Sequence, residues 1–444
     1  MSKKIGFISL GCAKNLTDTE TMLGILSEGG YTITANAEEA DVLVVNTCAF
    51  IDSAKEESIG AILEMAEYKK DKCSLLVVTG CLAQRYKEDI EKDLPEVDII
   101  LGTTDYAKIS EVIKEYFEKG EKNSFVGDVN TPVSYDPPRM QSTPSHTAYL
   151  KIADGCDNFC TYCIIPKLRG KFRSRPLESI LNEAKTLIRN GVKELILVAQ
   201  DTACYGKDLE NTTLKDLISQ LSKIEGLEWI RLQYSYPENI TDELIDEIAQ
   251  NEKVVKYLDM PIQHISDNIL KKMGRRSRGE EVKSLIEKMR GKIPNLTIRT
   301  SLIVGFPGET EEDFNLLKEF LKTYRLDKVG IFTYSKEEGT KASEFDGQIA
   351  DDVKQMRLDE AMKIQKEVSR GKNEEKLGRK EKVIIEGYDA QELCYVGRCS
   401  FDTPEVDGIA YIYSEEELSI GDIIDVEIVD FSDYDVVCKC VDRK

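Results

Sequence analysis

The sequence predicts an α/β protein in three parts: an N-terminal domain with a parallel sheet, a central partial (β/α)6 barrel and a small C-terminal antiparallel β-barrel. Two observations lead to this prediction. Apolar strand-like runs alternate with helical stretches as far as residue 374, and short strand-like runs separated by turn residues follow Lys382. We place the domains at residues 1–128, 148–374 and 375–444, with a linker over 129–147. A chain of 444 residues is long enough for three ordinary cores.

The N-terminal domain contains four strand-like runs with helical stretches between them. Thr17 with Glu20, and Ser53 with Glu56, have the spacing of a capping box, which predicts helix starts at these residues. This alternation is typical of a parallel sheet covered on both faces. The four runs are KIGFISL, DVLVVN, SLLVV and VDIIL.

A cysteine follows each of the first three runs: Cys12, Cys48 and Cys81. Loops at the carboxyl ends of the strands line the ligand crevice of an open α/β sheet, so we expect these cysteines to converge. The alternative is that each is a small apolar residue at a strand–helix turn. Cys73 precedes its strand and does not belong to the set.

Residues 129–147 hold four of the twelve prolines and little periodicity, which is typical of a linker. Six strand-like runs follow, separated by helical stretches, and predict a six-unit barrel or an open part of one. Active sites of such barrels form at the carboxyl ends of the strands. The runs are AYLKIAD, ELILVAQ, WIRLQY, VKYLDM, LTIRTSLIV and KVGIFTY.

Two of these strands carry a polar face. A closed barrel core favours branched apolar residues on its inner side, and charges turned outward against helices would lose their water. We therefore expect a lumen that holds something. By the two-residue period of a strand, the faces comprise Arg231, Gln233 and Ser235, and Thr297, Arg299 and Ser301.

The segment GCDNFCTYC, residues 155–163, contains three cysteines: Cys156, Cys160 and Cys163. Iron and zinc sites built from thiolates generally take four protein ligands. A zinc site would add a second C-x-x-C or two histidines, but the chain has only His146 and His264, and no second pair lies nearby. Three cysteines on a four-iron cubane leave one iron open for a substrate or cosubstrate.

The spacing C-x-x-x-C-x-aromatic-C, with Tyr162 as the aromatic residue, resembles the signature of radical S-adenosylmethionine (SAM) enzymes. The resemblance implies a 4Fe–4S cluster on these cysteines, with SAM on the open iron as the source of a 5′-deoxyadenosyl radical. GFPGET, residues 305–310, is similar to the family's glycine-bearing stretch along the adenosyl group, although Thr310 could simply cap a helix there. No catalytic residue is predicted, and the candidates for cosubstrate binding are Gln200, Asp201, Ser235, Arg299, Gly305 and Gly308.

The resemblance extends to the methylthiotransferases, which have a radical SAM core between an N-terminal cysteine-bearing domain and a small TRAM-like barrel. SLGCAKN, NTCAF and GCLAQR carry it in the first domain. It implies a second, auxiliary 4Fe–4S cluster on Cys12, Cys48 and Cys81, a second SAM as methyl donor, and a flavodoxin or ferredoxin as electron donor.

One branch of this family modifies the β-carbon of an aspartate in small-subunit ribosomal protein twelve, and another modifies an adenosine of transfer RNA. DMPIQHIS, residues 259–266, and the region around the cysteine motif resemble the first branch. From Lys376 onward the chain has 8 Lys and Arg against 17 Asp and Glu, a net charge of −9, which favours a basic protein over RNA. The alternatives are the transfer-RNA reaction and a non-enzymatic iron–sulfur protein that binds RNA or ribosomes.

Composition and net charge limit the classes of partner and the cellular location that we expect. A net charge of −21 disfavours binding to phosphate backbones through the overall field and favours a basic partner, although it also serves solubility. No apolar run approaches the roughly 20 residues of a membrane span, and no signal peptide is evident, so we expect a cytoplasmic protein. The roles of His264 and of the basic stretch 167–175 stay open.

Overall fold

The structure is a computed structural model that describes residues 2–131 and 136–441. Residues 132–135 of the predicted linker lie outside the described residues. Among the helices that are described, none is both long and apolar enough to cross a membrane.

The N-terminal domain is built on a six-stranded parallel sheet of order β2-β1-β3-β4-β5-β6. Alternate residues of β3 and β4 enter two apolar cores on opposite faces, as predicted. The four expected strands are β1, β3, β4 and β5, while the three-residue edge strands β2 and β6 were not predicted. The elements are β1 Lys4–Ser9, α1 Ala13–Glu28, β2 Thr32–Thr34, β3 Val42–Thr47, α2 Asp52–Glu67, β4 Leu75–Gly80, α3 Cys81–Arg85, α4 Lys87–Asp93, β5 Ile99–Leu101, α5 Ile109–Lys119 and β6 Asn123–Phe125.

The predicted helix starts at Thr17 and Ser53 are wrong. Helix α1 begins at Ala13 with Cys12 as its N-cap, and α2 begins at Asp52. Among the described residues, neither helix has a side-chain hydrogen bond capping its N-terminus. Thr17 and Glu20 therefore lie inside α1. The Glu20 carboxylate instead accepts hydrogen bonds from the backbone and hydroxyl of Ser142 and pairs with Arg139, which ties the linker to the first domain.

The central domain is an open sheet of six parallel strands in sequential order β7-β10-β11-β12-β13-β14, as the sequence predicts. Helices cover its convex face. The elements are β7 Thr147–Lys151, β8 Ala153–Asp154, α6 Ile165–Arg169, β9 Arg173–Ser174, α7 Leu177–Arg189, β10 Glu194–Val198, α8 Leu214–Leu221, β11 Trp229–Leu232, α9 Asp242–Gln250, β12 Val254–Asp259, α10 Asp267–Lys272, α11 Gly279–Lys292, β13 Thr297–Val304, α12 Glu311–Tyr324 and β14 Lys328–Thr333.

The long helix α13, Asp351–Glu374, leads into a closed five-stranded barrel of order β15-β16-β17-β19-β18. Four of its pairings are antiparallel, but β17 and β19 pair in parallel, so the predicted antiparallel barrel needs that correction. Its strands are β15 Lys380–Asp389, β16 Cys394–Cys399, β17 Ala410–Tyr413, β18 Ile423–Phe431 and β19 Val436–Cys440.

The polar concave face of the central sheet contacts this C-terminal barrel. Arg231 is fully buried and donates to Glu194 at 2.8 Å and to the Ser400 carbonyl at 3.0 Å. Gln233 donates to Thr403 at 2.6 Å, and the Tyr257 hydroxyl to Asp407 at 2.7 Å. The expected lumen therefore holds, in part, the protein's own segment 398–407.

Candidate cluster and cosubstrate site

The core cysteine motif is anchored to the end of α10 and to Gly170, the residue that follows α6. Thr161 donates its backbone N–H to the Met273 carbonyl at 2.9 Å and its hydroxyl to the Lys272 carbonyl at 2.8 Å. Cys156 donates its N–H to the Gly170 carbonyl at 3.1 Å. These bonds anchor the loop between β8 and α6 on both sides of Cys160.

The donor chemistry of this trio fits an iron–sulfur cluster. Burial raises the pKa of Cys156 to about 11 and also raises that of Cys163, and the negative charge of Cys160 raises both further. Three mutually repelling thiolates, two of them buried, need positive charge nearby, which bound iron supplies. In the described part of the chain, no three Cys, His, Asp or Glu side chains converge on a single metal ion; a cubane, in which each thiolate binds a different iron, does not require such convergence.

Two residues beside Cys160 were not predicted from the sequence: Tyr236 contacts the Cys160 sulfur, and Arg275 stacks on Tyr236. The Tyr236 hydroxyl lies 4.0 Å from the Cys160 sulfur, and the Arg275 guanidinium stacks 4.1 Å from the centre of the Tyr236 ring. Arg275 also donates to the Pro261 carbonyl at 3.0 Å. Tyr236 could have been found because it follows the polar end of β11, whereas Arg275 lies in a loop without a periodic pattern.

Gln200 and Asp201 stand at the carboxyl end of β10, as expected. Asp201 is buried and accepts hydrogen bonds from Asn158 at 2.9 Å, Asn239 at 2.7 Å and the Tyr236 N–H at 3.3 Å. It therefore joins the cysteine motif to the loop after β11. Gln200 donates to Asp154 at 2.8 Å, and its own carbonyl oxygen is buried without a partner among the described residues.

Two other candidates for cosubstrate contact, Ser235 and Arg299, differ in their hydrogen bonding. The Ser235 hydroxyl is buried and has no hydrogen-bond partner in residues 2–131 and 136–441. Arg299 is held by Asp259 at 2.9 Å and lies 3.9 Å from Asp407 of the C-terminal barrel. The contact of Arg299 with the cosubstrate stays a prediction.

The glycines of GFPGET adopt left-handed backbone conformations, with φ of +72° at Gly305 and +74° at Gly308. A Cβ at these positions would overlap the side chains of Lys354 and Lys272, respectively. Thr310 caps α12 in a capping box with Asp313. The left-handed backbone thus explains both glycines, and the cosubstrate contact stays a prediction.

The N-terminal cysteines lie at three strand–helix junctions. Cys12 is the N-cap of α1, Cys81 is the first residue of α3, and Cys48 exchanges backbone hydrogen bonds with the buried Ser58 hydroxyl at 3.0 and 2.9 Å. Burial raises the pKa of Cys81 to about 11, and the charges of Cys48 and Cys12 add to this effect. Cys12 is solvent-exposed; desolvation opposes its ionisation, but Lys14, Arg169 and backbone N–H groups outweigh this effect and lower its pKa.

Arg169, from the helix that follows the core cysteine motif, contacts this second trio. Its guanidinium lies 3.8 Å from the Cys81 sulfur and donates to Asp18 at 2.6 Å and Asp154 at 3.3 Å. It also bonds Asn15, which itself lies 3.8 Å from Cys81. The helix that follows the core cysteine motif therefore contacts the N-terminal trio across the boundary between the first and second domains.

Three of the six cysteines follow a glycine in the left-handed region: Gly11, Gly80 and Gly155, with φ of +89°, +94° and +81°. A Cβ on Gly11 would lie 2.8 Å from that of Cys48. The repeated Gly-Cys pair was visible in the sequence, and its reason is the close approach of neighbouring loops.

Replacing Gly155 by alanine should strongly destabilise the core motif. The new Cβ would overlap the Lys171 carbonyl oxygen, and the left-handed conformation itself costs about 1–2 kcal/mol. We expect a lower thermal midpoint and less bound iron. Gly60→Ala is the matched control, because Gly60 lies inside α2 with open space around it, and alanine there should stabilise by about 0.5–1 kcal/mol.

His264 is fully buried rather than exposed at the barrel mouth. Its Nδ1 accepts the Ser266 N–H at 3.0 Å, and its Nε2 lies 3.9 Å from Glu309, a carboxylate paired with Arg357 at 2.9 Å. Burial lowers the pKa of His264 to about 4, against the opposing charge of Asp313. Burial also raises the pKa of Glu309 to about 7.

Acid should therefore destabilise the protein through His264. On acidification the unfolded chain binds a proton at His264 near pH 6.5, whereas the folded imidazole binds it only near pH 4. The free energy of unfolding therefore falls by up to about 3 kcal/mol as the pH drops over this interval. Glu309 gives the opposite slope, because stability is lost as pH rises from 4.5 to about 7. His264→Asn should remove the first contribution, measured by urea unfolding with Trp229 fluorescence at several pH values. An unchanged pH profile would contradict the assignment.

Comparisons with known proteins agree with this architecture. Family models match residues 4–102 (Uncharacterized protein family UPF0004), 150–321 (Radical SAM superfamily) and 377–441 (TRAM domain). Among solved structures, the methyltransferase TsrM from Kitasatospora setae has a TM-score of 0.56 at 13% identity, covering 75% of each chain. OxsB has a TM-score of 0.50 at 14% identity, covering 82% of this chain and 56% of that chain. These likenesses support the fold of a radical SAM enzyme.

The curated relatives identify the particular family. Proteins named ribosomal protein uS12 methylthiotransferase RimO are 50% identical in Acetivibrio thermocellus, covering 100% of this chain and 99% of that one, and 52% identical in Clostridium botulinum, covering 98% and 97%. The protein of Geobacter sulfurreducens is 50% identical over 99% of both chains. The chain belongs to the RimO family of radical SAM methylthiotransferases.

Proposed function

We propose that the protein adds a methylthio group to the β-carbon of an aspartyl residue in ribosomal protein uS12, which is protein twelve of the small subunit. When bound, two 4Fe–4S clusters and SAM would supply the radical, the sulfur and the methyl group. The domains would be a methylthiotransferase domain at 1–128, the radical SAM core at 148–374 and a TRAM-like barrel at 375–444. A flavodoxin or ferredoxin would provide electrons.

The observation that carries this proposal is the contact between Arg169, on the helix that follows the core cysteine motif, and Cys81 of the N-terminal trio. Cys156, Cys160 and Cys163 would hold the radical cluster, and Cys12, Cys48 and Cys81 the auxiliary cluster. Arg169 belongs to the first motif's helix and contacts a ligand of the second, at 3.8 Å from Cys81. An enzyme that must bring a carbon radical to a sulfur donor needs the two groups in one shared region.

The other site residues would position the cosubstrate and keep water out. The unpartnered Gln200 carbonyl and Ser235 hydroxyl offer polar contacts at the barrel mouth. Asp201 holds the surrounding loops, and we keep Gly305, Gly308 and Arg299 as weaker candidates.

The surface of the C-terminal barrel supports a basic protein as substrate. Its exposed carboxylates would repel phosphate and attract a basic ribosomal protein. Exposed tyrosines accompany them and offer amphipathic contact area. The carboxylates are Glu415, Glu416, Glu417, Asp425 and Glu427, and the tyrosines are Tyr388, Tyr413 and Tyr434.

The test is to incubate the reconstituted enzyme with reductant and SAM, separately with uS12 and with transfer RNA. We expect the mass gain of one methylthio group on uS12 alone, located on one aspartate by fragmentation. A uS12 variant with asparagine at that position is the control. Modification of the nucleoside only would overturn the substrate, and absence of 5′-deoxyadenosine after reduction would favour a non-enzymatic binding protein.

A further inference from the structure

Lys14 of the N-terminal domain extends to the mouth of the central sheet. It is the second residue of α1 and is only 8% exposed. Its ammonium lies 3.4 Å from the centre of the Tyr234 ring, just beyond the carboxyl end of β11. Lys14 is two residues from Cys12, and Tyr234 is two residues from Tyr236, which contacts Cys160. The cation therefore lies near Cys12 and beside the loop that carries Tyr236.

No carboxylate forms an ion pair with Lys14 within 4 Å among the described residues. Equally buried lysines elsewhere do have such partners: Lys151 pairs with Asp18, and Lys328 with Asp402 at 2.6 Å. Asp259 acts on Lys14 only from a distance, because it accepts from Arg299 at 2.9 Å and from the Tyr234 N–H at 3.1 Å. Of the charges around Lys14, that of Cys12 acts on it most strongly. Because no carboxylate of the described residues pairs with the ammonium, a carboxylate brought by a ligand can take that position.

The platform beneath Lys14 is itself strained. Tyr234 has φ of +60°, which is rare for a bulky residue without a special constraint. Its ring packs against a buried cluster that includes Tyr149 of β7, and Leu16 of α1 packs against the same cluster, so both domains contribute to its surroundings. Backbone strain of this kind is often found where a binding geometry is held in place. Here it turns an aromatic face under the ammonium.

We propose that Lys14 binds the side-chain carboxylate of the target aspartate and so selects and positions it between the two clusters. This assignment rests on the proposed function. A carboxylate held by Lys14 would place the adjacent β-carbon between the core motif and the N-terminal trio. The ammonium would favour aspartate over asparagine because only the former brings a full negative charge. Loss of such a charged contact weakens binding by roughly 10- to 100-fold.

The test compares two uS12 peptides, with aspartate or asparagine at the target position, by anaerobic titration of the reconstituted enzyme. The variant is Lys14→Met, which keeps the length of the side chain and removes its charge. The matched control is Lys3→Met, because Lys3 makes the same kind of contact, 3.6 Å over Phe117, within the N-terminal domain and away from the mouth. Iron content is measured for each protein.

We expect the wild type and Lys3→Met to prefer the aspartate peptide by roughly 10- to 100-fold, and Lys14→Met to bind both peptides equally while keeping its iron. If Lys14→Met retains the preference, the assignment is wrong. If it instead loses iron, Lys14 serves to balance the charge of the auxiliary cluster. A wild type that neither binds nor modifies the aspartate peptide would overturn the proposed function itself.

Discussion

Replacing Cys160 by alanine should abolish 5′-deoxyadenosine formation, and with it methylthio transfer, while the N-terminal trio keeps its iron. Cys160 is the central ligand of the proposed radical cluster, and its loop is anchored independently of the first domain by Thr161. We expect iron content to fall to about half, measured with the products of SAM cleavage after chemical reduction.

Cys48→Ala gives the reciprocal result: cleavage of SAM continues but no sulfur is transferred. Cys73→Ala is the control, because this buried thiol donates to the Leu75 carbonyl and belongs to neither trio. Retained cleavage in Cys160→Ala, or normal product from Cys48→Ala, would refute the division of labour between the two clusters.

Replacing Arg169 by methionine should have the next largest effect. Arg169 is 3% exposed, and its removal leaves the buried Asp18 and the half-buried Asp154 with Lys151 as their remaining cation. Breaking a buried ion pair from one side costs about 3–5 kcal/mol. We expect a lower urea midpoint and preferential loss of iron from the N-terminal trio, because Cys81 and Asn15 lose their contact with the second domain.

The control for this change is Arg189→Met on α7. Arg189 is exposed, and within the described residues its guanidinium bonds Thr186 and a helix carbonyl, so the free energy of unfolding should change by less than about 0.5 kcal/mol. Equal effects of the two substitutions would show that Arg169 does not join the domains.

The sequence predicted the strands and the positions of the cysteines because both depend on local patterns. Apolar runs are read over a few residues, and each cysteine follows its run directly. The same locality explains the error at Thr17 and Glu20, since the true partners of Glu20 are Arg139 and Ser142, more than a hundred residues away.

Long-range ion pairs escaped prediction for that reason. Arg169 lies in the basic stretch 167–175, whose role the sequence left open, and the structure pairs it with Asp18 of another domain. Lys14 follows a cysteine motif without any local sign that it reaches Tyr234. Such contacts arise from the docking of domains, which no periodicity encodes.

The segment 398–407 makes the C-terminal barrel inseparable from the catalytic core. Removing the C-terminal barrel would leave Glu194 without Arg398 and Lys328 without Asp402, and would open the buried Arg231 to solvent. A chain truncated after α13 is therefore expected to be an insoluble fragment rather than a minimal enzyme. Chimaeras that exchange substrate preference between relatives would have to retain the segment 398–407 of this chain. They would take only the outer strands of the C-terminal barrel from the relative.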